Sequence, residues 1–400
     1  MALLHKYGVI LGTNLLSFVQ RVGIMSKQYD AIVIGMGVVG TAAAYHLASA
    51  GAKVVALDQF DLDHRMGSSH GESRIIRYAY DHPIYVELVR EAFGLWRMLE
   101  QESGKRLMVR TGGFDFGEES SESLLKTKKT LENAQIPFEW LDAREATQRF
   151  PQFKLNDSMR AIYQPDAAYL AASRCVLAQA ELAHVKGAEL ISESAVVRIE
   201  PHGDSVEVIT LDHNYVAKKL IIAAGAWTNN LLAPLGLNPP LRASREQVVY
   251  FEPYDRPMFA PDQCPVFIYH HSPWFYGLPN VDGAGVKVGI HCNGEYIDPN
   301  QVNRTPDEAY IVQVWEWARQ FIPLAASGVK DARVCLYTMT PDEHFIFDVH
   351  PQHPNIIIGS PCSGHGFKFG NLSGKILADM ALRGGTDYDI SLFKINRFRS

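Results

Sequence analysis

The chain of 400 residues has few cysteines and no arrangement among them. Five stand at 175, 264, 292, 335 and 362, without a C-x-x-C pair or matched spacing. That argues against a disulfide framework and a zinc site and suits free thiols in a reducing compartment, so a cytoplasmic location is expected. Basic runs are missing too, and the net charge is −6, which argues against nucleic acid as the main partner. The first 24 residues hold one short apolar stretch, YGVILG, too short and too broken for a membrane span. Lys6 precedes it, yet no small-x-small cleavage site follows. Residues 1–24 therefore read as an accessory extension, with Met25 as the natural start. No internal repeat, low-complexity segment or long linker is evident. The 47% hydrophobic and 20% charged shares are those of an ordinary globular protein. Its length allows one large domain or two interleaved ones.

Glycine turns organise the remainder. YDAIVI (29–34) reads as a strand, GMGVVG follows, TAAAYHLASAG is helical in character, and AKVVALD is the next strand. In HPIYVELVREAFGLWRMLEQESG, Tyr85, Leu88, Val89, Ala92, Trp96 and Leu99 form one helical stripe. LAASRCVLAQAELAHVKG reads as another helix. TGGFDFG, REQVVYFE (245–252) and the segments WFYGLP and GVKVGI within 274–290 alternate as antiparallel strands do. KKLIIAAGAW (218–227) and NIIIGSPCSGHGF (355–367) are buried strands running into small-residue turns. The expected fold is α/β plus α+β, with a discontinuous Rossmann-like dinucleotide domain and an antiparallel-sheet substrate domain. The first takes 25–110, 171–234 and 334–390, the second 111–170 and 235–333, and 391–400 is a C-terminal tail.

Gly35, Gly37 and Gly40 fit G-x-G-x-x-G between a strand and a helix. The first makes the turn, the second admits a pyrophosphate close to the backbone, and the third lets helix and strand pack. The helix N-terminus offers free N–H groups to phosphate. Asp58, ending the next strand, can accept ribose hydroxyls and would repel a 2′-phosphate. A dinucleotide is expected here; the motif alone does not separate FAD from NAD.

Four separated blocks occur in the order of one family. SSHGESRIIRYAY (68–80), AAGAW (223–227), VCLYTMTPDEHFIFDVHP (334–351) and SGHGFKFG (363–370) together resemble the monomeric sarcosine oxidase family, from about Met25 to the C-terminus. Those are FAD enzymes that oxidise N-methyl and secondary amino acids, with N-methyl-tryptophan oxidase a close relative. The resemblance implies FAD carried covalently on Cys335. It gives Arg77 and Lys368 to the substrate carboxylate and places His70 and Arg74 beside the flavin. Lys287 it gives to the reaction with oxygen, and His291 and Tyr276 to the substrate pocket. Cofactor contacts are further implied for Val196, Gly225, Trp227, Tyr337, Gly364, His365, Gly366 and Lys368.

The residues themselves fit such roles. Lysine sits in an apolar run only when something negative waits for it, and Lys368 lies between two phenylalanines. A bidentate arginine and a lysine would anchor one carboxylate firmly. Arg74 and Arg77 share a side if their stretch is helical. Lys287 is a charge in an alternating apolar strand, where an edge position would leave it solvated. Arg333 shares the face of Cys335 if that stretch is a strand. Asp342, Glu343 and His344 read as a solvated turn without metal-ligand spacing, and no metal is expected.

Two departures from the family pattern stand out. Ser69-His70 replaces the pair of histidines common among relatives. Phe267 falls, counted back without gaps from Tyr276, where sarcosine oxidases carry methionine, which puts the size of the pocket in question.

The implied reaction demethylates sarcosine or a similar N-methyl amino acid with O2, giving formaldehyde, the amino acid and H2O2. Activity should rise toward alkaline pH, since the neutral amine reacts. N-methyl-tryptophan and the cyclic imino acids proline and pipecolate stay open as substrates. A flavin dehydrogenase with a non-oxygen acceptor is the rival. A monomer is expected, with no nucleic-acid or membrane partner.

Overall fold

The computed structural model describes residues 27–398, so the expected accessory extension lies outside the described residues. Two sheets carry the architecture. In the first, five parallel strands run in the order Glu189–Ile191, Val54–Leu57, Lys27–Ile34, Asn214–Ile222 and Ile356–Ser360. Covered on both faces, the inner strands are almost continuously apolar, as VVAL and IIIGS show. The helices Val38–Ser49, Ala172–Val185 and Gly370–Arg383 pack against this sheet and one another. A Cβ on Gly374 would come within 2.3 Å of Ala42, so the first and last of these helices touch backbone to backbone there. All five parallel strands point the same way. The turns after Ile34, Leu57, Ile222 and Ser360 therefore gather at one carboxyl edge, where open α/β sheets bind ligands.

The second sheet has nine strands. Arg242–Glu252 pairs along one edge with Gly328–Met339 and along the other with Val286–Ile290. The ladder continues through Phe275–Leu278, Val266–Tyr269, Gly113–Glu118, Met159–Gln164 and Glu139–Asp142. Only the pairing of Val266–Tyr269 with Gly113–Glu118 is parallel among these. One face of this sheet buries Phe114, Phe116, Phe267, Phe275 and Val288 against Trp317 and Phe321 of the helix Glu308–Phe321. The other face looks toward the carboxyl edge of the first sheet.

Two expected boundaries fall inside continuous hydrogen-bonded ladders. The strand Gly328–Met339 belongs wholly to the second sheet, so a division at 334 would cut it. Ala168–Leu170 pairs with Arg74–Ile76 and Met108–Arg110 in a three-stranded sheet that bridges the division drawn at 170. Among the described residues, no helix is long and apolar enough to cross a membrane.

Candidate active site

The glycine turn after Lys27–Ile34 leaves no room for side chains. Gly35 has φ of +98°, and a Cβ on it would lie 2.5 Å from the carbonyl oxygen of Ala223. On Gly40 a Cβ would meet the oxygen of Gly35 at 1.7 Å, so this glycine serves the packing of turn on helix. Asp58 fixes the turn from the neighbouring strand. Its carboxylate accepts the Met36 N–H at 2.6 Å and the Phe60 N–H at 2.9 Å. The helix N-terminus is capped from outside, by the Ser69 hydroxyl accepting the Val38 N–H at 3.0 Å.

A cavity of about 1130 Å³ opens from this turn and runs between the two sheets. That is more than the roughly 300–1000 Å³ of a pocket for one drug-sized molecule. Every residue given a cofactor, substrate or catalytic role from the sequence lines it except Gly40, whose role is packing. Gly35, Gly37, Asp58, Val196, Gly225 and Trp227 form one end. His70, Arg74, Lys287, Cys335 and Tyr337 form the middle. Arg77, Tyr276, His291, Gly364, His365, Gly366 and Lys368 also stand on its wall.

The cations are the unusual feature. Lys368 is 7% exposed, and its ammonium donates only to Tyr80 Oη and the His365 carbonyl, both at 2.9 Å. Burial, with Arg77 nearby, pushes its pKa well below the usual lysine range. Tyr80 Oη also lies 3.0 Å from His365 Nδ1, whose Nε2 faces the Glu343 carbonyl at 3.1 Å. Those partners make Nε2 the protonated nitrogen. Arg77 stands 3.4 Å from Asp115, and its Nη1 has no hydrogen-bond partner. Asp115 in turn meets His270 Nε2 at 2.9 Å, and His270 Nδ1 meets Ser123 Oγ at 3.1 Å.

Lys287 is 4% exposed and donates weakly to the Ser73 carbonyl at 3.3 Å. Burial and the Arg74 charge bring its pKa down to about 7. Its strand, Val286–Ile290, is interior to the sheet, flanked on both sides, so the lysine is not the solvated edge charge its pattern allowed. Arg74 ties the loop before it together, donating to the carbonyls of Ser68, His70 and Ser73 at 2.8–2.9 Å. The stretch Arg74–Ile76 is a strand rather than a helix turn; it ends before Arg77, and both arginines reach the cavity. His70 is held neutral, burial and the charges of Arg74 and Lys287 lowering its pKa to about 3. Its buried Nε2 has no partner. Burial, then Lys368 and Arg77, likewise lower His291 to about 4. The Cys335 thiol is pushed up by burial, against the pull of Arg74 and Lys287.

A glycine cradle at one end, an orphaned ring nitrogen in the middle and unsatisfied cations beyond suit a dinucleotide followed by an anionic small molecule. The model of the family described as FAD dependent oxidoreductase matches residues 30–380. The chain belongs to that family. This flavoenzyme is 37% identical over 382 residues to the monomeric sarcosine oxidase of Bacillus sp. (strain B-0618), covering 93% of this chain and 97% of that one. It is 32% identical over 378 residues to the N-methyl-L-tryptophan oxidase of Yersinia pestis, covering 93% and 100%. Among solved structures it resembles NikD, an unusual amino acid oxidase essential for nikkomycin biosynthesis, with a TM-score of 0.83 and 26% identity over 92% of this chain and 98% of that one.

The reading of Phe267 needs correction. Phe267 does not face the pocket. It is 1% exposed and packs on Phe153 and Trp317, while its neighbour Ile268 lines the cavity. Strand alternation decides this, and counting back from Tyr276 crossed a turn. Arg333 shares the face of Cys335, yet its guanidinium is engaged by Glu72 at 2.7 and 2.9 Å and Asp331 at 2.6 Å. The turn at 342–344 is exposed at Asp342 and Glu343, as expected, with His344 half-buried. Asp342 accepts from Arg397 at 2.7 Å, His344 Nδ1 meets Tyr85 Oη at 2.9 Å, and Glu343 stands beside His291 and Cys292.

Tyr80, Asp115 and His270 were missed. Tyr80 lay inside a quoted motif. Asp115 and His270 are 155 residues apart and meet only through a parallel strand pairing.

Proposed function

We propose that this flavoenzyme oxidises the N-methyl group of sarcosine or a similar small secondary amino acid, with O2 as acceptor. The observation that carries this is Lys368, a buried ammonium among neutral partners, beside Arg77, whose Nη1 faces Asp115 at 3.4 Å but has no hydrogen-bond partner. Asp115 faces Arg77, but among the described residues no ion pair reaches Lys368, and the two cations repel one another. A carboxylate set between them would relieve that repulsion and take charge-assisted hydrogen bonds from both. The names of the relatives support an N-methyl amino acid as the owner of that carboxylate.

FAD, held by Gly35, Gly37, Asp58, Val196, Gly225, Trp227 and the backbone around Gly364–Gly366, supplies the two-electron oxidation of the C–H bond next to nitrogen. The chain's own groups orient and tune. Arg77 and Lys368 fix the carboxylate, and Tyr276 and His291 wall the amine end. His291, neutral at physiological pH, can accept a hydrogen bond and adds no further positive charge there. Lys287 and Arg74 place positive potential in the middle of the cavity, where electrons must pass to O2 and negative charge develops. The substrate loses two electrons and becomes an imine. Water then converts the imine to formaldehyde and the free amino acid, while O2 gains two electrons and two protons to leave as H2O2.

Cys335 is the proposed covalent anchor of FAD. It lines the cavity between Arg333 and Tyr337, and Arg74, Lys287 and Arg304 favour its thiolate against the cost of burial. Precipitation with trichloroacetic acid tests it: the yellow colour should stay with the protein, and a fully coloured supernatant contradicts the bond. The enzyme acts as a monomer, the word its bacterial relatives carry in their names. A cytoplasmic location suits five free cysteines.

Peroxide and formaldehyde measured aerobically with sarcosine, N-methyl-L-tryptophan, L-proline and L-pipecolate test the reaction. Sarcosine should give the highest kcat/KM. Bound flavin without peroxide from any of them overturns the oxidase and leaves a dehydrogenase with another acceptor.

A further inference from the structure

Cys292 has no part in the reaction proposed above, yet it lines the same cavity. It follows His291 just beyond the strand Val286–Ile290. In extended backbone, consecutive side chains point to opposite faces. At Cys292 φ is +53°, which breaks the alternation and brings its Sγ to 3.2 Å from His291 Nε2. Glu343 comes to the same place from the turn after Gly328–Met339. The three ligand atoms, one nitrogen, one sulfur and one carboxylate oxygen, all lie within 4.8 Å of one another.

We propose that His291, Cys292 and Glu343 bind a thiophilic divalent cation of the zinc class on the wall of the amino-acid pocket, and that the bound ion shuts the pocket. The donor set is that of a zinc site with three protein ligands and one open position. Bonds of about 2.0–2.3 Å in a tetrahedron set ligand atoms roughly 3.3–3.8 Å apart. The His291–Cys292 pair falls just short of that separation at 3.2 Å. The Glu343 side chain is exposed, and its carboxylate oxygen lies within 4.8 Å of both other ligand atoms. Thiolate and carboxylate together neutralise the ion, and the thiol proton leaves to solvent on binding. Hard cations such as Mg2+ lack the oxygen-rich ligand set they require here.

The consequence for turnover follows from His291. Its ring stands against the glycine turn of Gly364, where a Cβ would come within 2.7 Å of its Cε1. Once it ligates an ion, it can no longer meet the substrate amine, and the ion with its fourth ligand takes up space in the cavity. The pocket-closing half rests on the function proposed above; the metal half stands without it.

Equilibrium dialysis of the flavin-loaded full chain against zinc chloride, with zinc counted by mass spectrometry, tests the site. Cys292→Ala and Glu343→Gln are compared after confirming wild-type flavin content and thermal midpoint. The expected result is one zinc per chain, with affinity reduced about tenfold or more in each variant. Cadmium should give an ultraviolet thiolate-to-metal band that is absent from Cys292→Ala. Peroxide formation from sarcosine should fall along the same zinc titration and return on adding EDTA. Failure to retain zinc, or wild-type affinity in both variants, overturns the site. Zinc bound as expected with undiminished turnover overturns the pocket-closing half. Should no substrate yield peroxide from the metal-free enzyme, the functional reading fails, while dialysis and the cadmium band still decide the site.

Discussion

The two faces of the nine-stranded sheet are built from alternate residues of the same strands and obey different rules. On one face Phe267, Phe275 and Val288 fill space together with Trp317 of the covering helix. On the other, Tyr276, Lys287, Arg333 and Cys335 stand around a cavity, and Lys287 has a single weak partner for a buried charge. The first arrangement is what stability asks of a sheet. The second costs stability, since burying an ammionium without an acid partner is unfavourable. Substitutions on the two faces should therefore fail in different ways.

The largest expected effect is on the packed face. Phe267→Ala should lose about 3–5 kcal/mol of stability, read by chemical denaturation, with KM for sarcosine unchanged because the ring never reaches the cavity. A shifted KM at wild-type stability would place Phe267 on the pocket wall after all. Lys287→Met gives the opposite pattern. Oxygen consumption by the pre-reduced enzyme should slow by about 100-fold or more, while the thermal midpoint holds or rises. Loss of folding with normal oxygen reactivity would make Lys287 a structural residue.

Asp115→Asn should act more mildly, through Arg77. Losing the charge 3.4 Å away frees the guanidinium to drift. KM for sarcosine should rise about tenfold, the worth of roughly one hydrogen bond to a charged group, with kcat less affected. An unchanged KM would mean that the Tyr80 ring, whose centroid lies 5.2 Å from the Arg77 guanidinium, is enough to position it.

Smallest is a pH effect. Lys287 is charged below its pKa of about 7 and neutral above it, so the oxygen reaction should weaken as pH rises past neutrality. Reaction with substrate should strengthen over the same range as the amine deprotonates. Opposite slopes for the two half-reactions in rapid mixing are the expected result; parallel slopes would contradict it. In stability the sign is also fixed. The unfolded lysine holds its proton up to about 10.5 and the folded one only to about 7. Lys287 therefore makes stability rise with pH between those values, and Lys287→Met should flatten that rise.

Much of the site could be read from short stretches of chain. The glycine turn, Asp58 and the lysine of SGHGFKFG each depend on neighbours within a few residues, and all three stand on or at the cavity wall as expected. What failed depended on register. The direction of Phe267, the interior position of the Lys287 strand and the meeting of Asp115 with His270 follow from which strands pair and in what phase. A shift of one residue reverses every side chain, and local pattern does not carry that phase across a turn. Arg74 shows the same limit. Three-residue spacing suggested a helix, while pairing with Ala168–Leu170 made the stretch a strand.

The central claim is that Arg77 and Lys368 await a carboxylate. Sarcosine and its primary amide, compared by peroxide formation, test it most directly, since the two differ only in that charge. The account predicts that the amide loses at least about 100-fold in kcat/KM, the worth of two charge-assisted hydrogen bonds. Equal turnover of the two would contradict it, and the paired cations would then need another purpose.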